Sequence, residues 1–495
     1  MFGLFFQGLL QCLSPLTLLY ILAGVLWGIV GGAIPGISAS VAMSLMLPFT
    51  YNMDPLLSLP MLAAVYVGAE YGGSIPAILI KTPGTGAAAA TVLDGYELNK
   101  KGQGGKALCI SLYSGVLGGM VSVLVLVAIT IPLADFALKF GPTEYFWIAL
   151  MGLSVVGAVS GDNFWKGLIG AVFGLLLAVV GMDSFTSTQR LTFGINRLAD
   201  GLELIPVMVG LFAVSEVLRQ AYKKEIAHGV RQKFKMTWPT FKELRQVTPI
   251  VLICGAIGAV VGALPGAGAT IASWIAYSET KMLCRNNETF GTGDIRGIAA
   301  PESANNAVPA GGLIPLLALG VPGSNSTAIL MAGFTIAGIS CGPLLFTNNP
   351  EIPYKLMASM FVAQIVLAAV GLLVLRPLIL LTSVNKVYLA SAILVFAAVG
   401  AFSTLNDVYA SWLVLLFGII GFLLKRFGFP VPAVVLGFVL GELVEGNMRR
   451  AFQLSSSVSI FFSSTIDIVM ILIIILSASF PLISKKIADR RKKAQ

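Results

Sequence analysis

Charge is scarce in this chain: Asp, Glu, Lys and Arg make up 11% of its 495 residues, against about 25% in soluble globular proteins. With 57% of residues hydrophobic and a mean hydropathy of +0.89, a water-soluble fold is excluded. Histidine is almost missing. The single His228 sits in a basic stretch, so imidazole metal sites and Ser-His or Cys-His catalysis have almost no material. No GxxxxGK[ST] phosphate loop occurs, which argues against ATP hydrolysis by this chain. The five cysteines, Cys12, Cys109, Cys254, Cys284 and Cys341, are odd in number and widely spaced, a pattern of packing residues and not of disulfides or zinc ligands. Residues 1–80 hold no Lys or Arg, and the net charge of +9 collects in short loops and at the C-terminus. That is the distribution of topogenic charge, and it leaves no basic stripe for nucleic acid. The apolar N-terminus has no basic n-region and is expected to stay as a first helix.

What the chain has in abundance is long apolar runs. Residues 107–134 contain no charge and exceed the ~20 residues that cross a ~30 Å hydrocarbon core as a helix. Similar runs fall near 15–34, 56–79, 143–160, 164–182 and 203–220, then near 249–264, 298–319, 354–381, 387–403, 408–424 and 458–483. Pieces near 38–49, 83–92, 268–280, 323–340 and 431–443 are too short to span, and each of the first four follows a Pro-Gly pair. The expected fold is an all-α polytopic membrane protein with about 10–14 transmembrane or half-membrane helices. Residues 219–247 form the one long polar stretch, with eight basic residues against Glu225 and Glu243. It reads either as a cytoplasmic linker lying on the membrane surface or as a solvated connector. The chain then divides into repeat one (1–218), linker (219–247), repeat two (248–452) and a C-terminal helix with a basic tail (453–495).

The two halves are related. GIVGGAIPGISASVAM (28–43) aligns without gaps on GAVVGALPGAGATIAS (258–273), and GGSIPAILIKTPG (72–84) on GGLIPLLALGVPG (311–323). A weaker match sets VGAVS (156–160) on VGAFS (399–403). Charge gives the orientation. Residues 50–60 carry no Lys or Arg while their counterpart carries Lys281, Arg285 and Arg296; later, Lys100, Lys101 and Lys106 face a counterpart, 339–353, that carries none. By the positive-inside rule equivalent loops lie on opposite faces, so the repeats are expected to be inverted and the C-terminus cytoplasmic.

Inverted repeats with helices broken at corresponding positions point to a carrier site near the bilayer midplane. Pro83 and Pro322 lack an amide hydrogen and clash with the preceding turn, so both should break their helices. Where a helix restarts, its first amides are unpaired and its dipole is positive, which suits a carboxylate. The candidate substrate-binding residues are therefore Lys81, Thr82, Pro83, Gly84, Thr85 and Gly86 in tip one, and Pro322, Gly323, Ser324, Asn325, Ser326 and Thr327 in tip two. Pro35, Gly36 and Ser38 with Pro265, Gly266 and Gly268 mark a second pair of breaks. The small-residue spacing before them favours close helix packing, with a supporting wall of the site as the alternative. Charges inside apolar segments are costly and default to function. Glu70, Glu302, Asn305 and Asn306 offer hard oxygens for a coupling cation or proton, although Glu302 also reads as a helix cap. Lys81 reads as a partner for a substrate carboxylate, for Glu70, or as a snorkelling side chain.

These residues resemble the large permease subunit (TctA type) of the tripartite tricarboxylate transporters. The resemblance is carried by GGAIPGISAS (31–40), YGGSIPAILIKTPGTG (71–86), LTFGINRLADGLELIPVMVGLFAVSE (191–216) and GALPGAGATIASWIAYSETK (262–281). It continues through GIAAPESANNAVPAGGLIPLLALGVPGSNSTAILMAGF (297–334) and FPVPAVVLGFVLGELVEGNMRRAF (429–452). It implies a bacterial inner-membrane carrier without a cofactor, working with a small membrane subunit (TctB type) and a periplasmic solute-binding protein (TctC type). It further implies uptake of a di- or tricarboxylate or related organic carboxylate, driven by a cation gradient, sodium before protons, with an elevator-like motion of the tips. The chain departs from the family pattern at Lys81, where Asn is usual, and at Thr85, where an acidic residue is common; both make tip one more positive. A passive anion channel and an intramembrane enzyme are the competing classes. The first requires flux without a coupling ion, and the second a catalytic pair that the sequence does not offer.

Overall fold

The computed structural model describes residues 2–159, 164–223, 237–285, 287–374 and 386–475. Most of the basic linker (224–236), Ser160 of the weak repeat match, the ends of the runs expected over 354–381 and 458–483, and the basic tail lie outside the described residues. Among the described residues nine helices are long and apolar enough to cross a membrane, and the chain is an all-α polytopic membrane protein. Its helices present large apolar side chains outward, among them Leu124, Trp165, Ile253 and Trp412, as surfaces that meet lipid do.

Several elements differ from expectation. The piece near 431–443 is the start of a 24-residue helix, Val431–Leu454, in whose second half Glu445 is paired with Arg190 at 2.5 Å and Arg449 pairs with it at 2.8 Å. A charge so paired need not end a helix. The run over 458–483 opens as a 3-10 turn, Val458–Phe462, followed by a helix over Thr465–Ile475. An additional short helix, Phe2–Cys12, precedes Pro15–Ala33. The run near 107–134 extends to Gly104–Ala137, 34 residues, or about 51 Å at 1.5 Å per residue. A small β-hairpin, Gly181–Met182 with Gln189–Arg190, breaks the all-helical pattern. It is pinned by Arg449 to Asp183 at 2.8 Å. The Phe185 amide, the Thr186 hydroxyl and then Arg449 hold the Asp183 carboxyl well below the usual carboxylate range.

Packing repeats residue for residue between the halves. Helix Pro15–Ala33 lies on Pro55–Gly72 so closely that a Cβ on Gly28 or Gly32 would strike the carbonyl oxygens of Val65 or Ala69. Helix Phe241–Ala263 lies on Ile295–Leu319 in the same way, with Gly258 and Gly262 against Ala304 and Val308. Each contact in the second half is the first-half contact shifted by the repeat offsets. Small residues at this spacing let helix backbones approach, which is how helices associate where water exclusion supplies no drive.

The tips repeat as well. Helix Ser74–Ile80 ends at Lys81 with φ 60°, and Ile295–Leu319 ends at Gly320 with φ 74°. The next amides, of Thr82 and Val321, donate to Pro76 and Pro315 oxygens at 3.3 and 3.2 Å. Both residues are left-handed caps, a conformation that glycine adopts freely and a lysine adopts at a cost of roughly 1–2 kcal/mol. Lys81→Gly is therefore expected to raise the unfolding midpoint, by the equivalent of about 1 kcal/mol. Thermal denaturation in detergent measures it, and an unchanged or lower midpoint would refute the strain.

Candidate functional site

The two tips and the two Pro-Gly walls come together. The Gly36 amide donates to the Gly84 oxygen at 3.3 Å, and the Gly266 amide to the Gly323 oxygen at 3.0 Å. Gly84 and Gly323 are both buried, and a side chain at either would collide with the Gly32 or Gly262 carbonyl of the wall helix. Pro35, Pro265 and Pro322 are buried in these junctions. The wall residues thus pack closely on their helices and also hydrogen-bond to the tips.

Between tips and walls lies a cavity of about 670 Å³. Tip one contributes Thr85 and Gly86, and tip two Ser324, Asn325 and Ser326; the walls contribute Ser38, Gly266 and Gly268, and Glu70 lies in the lining too. Four helices begin at its edge: Ala39–Met46, Gly268–Leu283, Asn325–Ile336 and Val431–Leu454. A helix N-terminus carries a partial positive charge, though the Val41 amide is capped by Ser38 at 3.4 Å, the Ala433 amide donates to the Pro430 oxygen at 3.1 Å, and Pro432 has no amide hydrogen. In tip two a capping box between Ser324 and Thr327 satisfies the Thr327 amide at 3.2 Å, which leaves the first-turn amides of Asn325 and Ser326 to other partners.

The lining also holds a cation that sequence reasoning missed. Lys425, at the end of helix Val408–Arg426, pairs with Glu216 at 3.0 Å, and Glu216 also pairs with Arg219 at 2.6 Å. Arg219 thus shares the Glu216 carboxylate with Lys425, and Lys425 and Glu70 are the oppositely charged residues of the lining. In the sequence Lys425-Arg426 looks like an ordinary topogenic helix end, so only the fold identifies it. Tyr66, inside an apolar run, escaped for the same reason; its hydroxyl lies 3.1 Å from Ser324 Oγ.

Lys81 is placed elsewhere. It is exposed, 5.7 Å over the Tyr96 ring, and is not in the lining, nor are Thr82, Pro83, Pro322 or Thr327. Its left-handed cap turns it away from Glu70, so it is not that carboxylate's partner. Glu302 is not a cap either; Asp294 caps that helix by accepting the Arg296 amide at 2.8 Å. Glu302 is wholly buried and accepts hydrogen bonds from Thr91 and, at 2.9 Å, from Ser111. Asn306 donates to the Glu302 backbone oxygen at 3.2 Å, and Asn305 to that of Glu70 at 3.1 Å. Beyond them, the buried Asp94 accepts the amides of Gly291, Gly293 and Asp294 at 2.8–2.9 Å and the Tyr277 hydroxyl at 3.0 Å. It fastens the helix after tip one to the loop before Ile295–Leu319.

Fold and cavity define a helical membrane protein with paired helix breaks around a chamber whose largely apolar lining carries a few hydroxyl, amide and charged groups. The family description "Tripartite tricarboxylate transporter TctA family" matches residues 18–436, and the chain belongs to that family. It is 36% identical over 449 residues, 90% of this chain and 89% of the relative, to an uncharacterised 52.8 kDa protein of the TAR-I ttuC' 3' region of Agrobacterium vitis. A protein of the TAR-II ttuC' 3' region of the same organism is 35% identical over 198 residues, 40% of this chain and 82% of that relative. No solved structure matches the chain.

Proposed function

We propose that this chain is the large permease subunit of a binding-protein-dependent secondary carrier, importing an organic di- or tricarboxylate across the bacterial inner membrane on a sodium or proton gradient. A TctC-type periplasmic protein delivers the solute, and a TctB-type small subunit completes the membrane complex. One observation carries the reading: both tips, four helix N-termini and the Lys425 ammonium border a single cavity, a field suited to more than one carboxylate. Under the positive-inside rule Lys100, Lys101, Lys106, Arg285, Arg296 and the basic tail are cytoplasmic, and the two repeats are inverted. Arg197 pairs with Asp407 at 2.6 Å, at the opposite end of the Val408–Arg426 helix from Lys425, so loop 181–203 faces the periplasm and the incoming binding protein. The tips with their walls act as the moving unit in an elevator-like exchange.

The test is uptake of labelled citrate and shorter dicarboxylates into proteoliposomes holding all three subunits. Uptake is expected only with the binding protein and an inward cation gradient. Equal flux without either would replace the carrier with a passive anion channel.

A further inference from the structure

The repeat offset of the second block pairs Tyr66 with Asn305 and Ser324 with Thr85. In tip two the pair is closed, Tyr66 hydroxyl to Ser324 hydroxyl at 3.1 Å, and Thr327 completes the polar accounting. In tip one the matching atoms are open. Asn305 Oδ1 and Thr85 Oγ1 are buried and have no hydrogen-bond partner, and neither does Glu70 Oε2. Asn305 is 0% exposed, and Thr85 and Glu70 are each 5% exposed.

These oxygens belong together. Asn305 Nδ2 donates to the Glu70 backbone oxygen at 3.1 Å, which sets the amide beside that residue. Gly73, one helical turn beyond Glu70, lies directly against the Thr85 side chain, and its carbonyl accepts the Gly84 amide at 3.0 Å. Buried polar atoms in native proteins are almost always satisfied by protein, water or an ion, and these three oxygens have no protein partner; Glu70 and Thr85 line the cavity through which a ligand reaches them. An acceptor carboxylate, an amide oxygen and a hydroxyl are the hard ligands of a small cation. Glu70 has no ion-pair partner among the described residues, whereas the buried Glu302 carboxylate already accepts hydrogen bonds from Thr91 and Ser111; one carboxylate beside two neutral oxygens suits a monovalent cation.

We infer that Glu70, Thr85 and Asn305 form a binding site for one sodium ion, present in tip one and absent from tip two. The inference deepens the carrier reading by locating its coupling ion, but its test reads ion binding without any transported solute. The purified chain in lipid nanodiscs is titrated with NaCl, and separately with KCl, at constant ionic strength with choline chloride, and the unfolding temperature is recorded at two pH values. The midpoint temperature is expected to rise saturably with sodium and to stay flat with potassium. Thr85→Val removes only an unpartnered hydroxyl and keeps the shape, so it folds. It should weaken the sodium midpoint about tenfold or more, and Glu70→Gln should abolish the sodium response. Wild-type midpoints for both variants, or a wild-type chain stabilised by lowered pH and indifferent to sodium, would overturn the site. Failure of carboxylate uptake alongside an intact sodium titration would instead count against the carrier reading alone.

Discussion

Gly323→Leu and Gly84→Leu each cut carboxylate uptake by ~10²-fold or more, the scale on which misplacing a binding group by about 1 Å acts, while both proteins still insert in the membrane. The cause is local. A Cβ at Gly323 lies 2.7 Å from the Gly262 carbonyl oxygen and 3.0 Å from Gly312 Cα, and backbone cannot swing aside as a long side chain can. The tip must lift from its wall, breaking the Gly266 to Gly323 hydrogen bond and displacing Ser324 and Asn325 from the cavity. Transport assays on the reconstituted complex, with surface labelling to confirm insertion, measure the effect. Uptake near the unsubstituted level in either variant would show that the tips tolerate displacement and are not the binding element.

The second large effect falls on Lys425. Lys425→Met removes one cation from the rim and leaves Glu216 paired with Arg219 and Gln220 at 2.6 and 3.1 Å, so the helix pair keeps its polar contacts. A lost hydrogen bond to a charged group is worth about 1.5–3 kcal/mol, and the maximal uptake rate at saturating loaded binding protein should fall roughly 10- to 100-fold. Lys425→Arg should retain most of it. Equal rates for Met and Arg would confine Lys425 to holding Glu216.

The breaks were legible in the sequence because proline and glycine act through the backbone, and backbone restrictions are local. Pro83 and Pro322 announce an interruption wherever the rest of the fold lies. Lys81 shows the limit of such reading: its proximity to the break in sequence suggested the site, yet the left-handed cap sends it toward Tyr96. The same position in repeat two is Gly320, and that alignment was the signal that a turn, not a ligand, occupies it. Lys425 was illegible for the opposite reason. It is separated from Glu216 by over two hundred residues, and a basic pair ending an apolar helix carries no mark of what it faces. The length of Val431–Leu454 exceeds the sequence reading because Glu442 and Glu445 interrupt the apolar run, and one of the two partners that neutralise Glu445, Arg190, comes from a distant hairpin. Buried Glu70 and Glu302 stood out by composition, but which of the two keeps a vacant oxygen was decided by the hydroxyls of Thr91 and Ser111.

The interlocked glycines also restrict how gating can work. Each tip is stitched by a peptide hydrogen bond to the bend behind it, and that bend continues a helix pressed backbone to backbone on its neighbour. A flap that peels away alone would have to tear this seam and strand its amides in a dry interior. For the carrier proposed above, access is then expected to change by shifting a whole slab against the remaining helices, with the substrate as passenger.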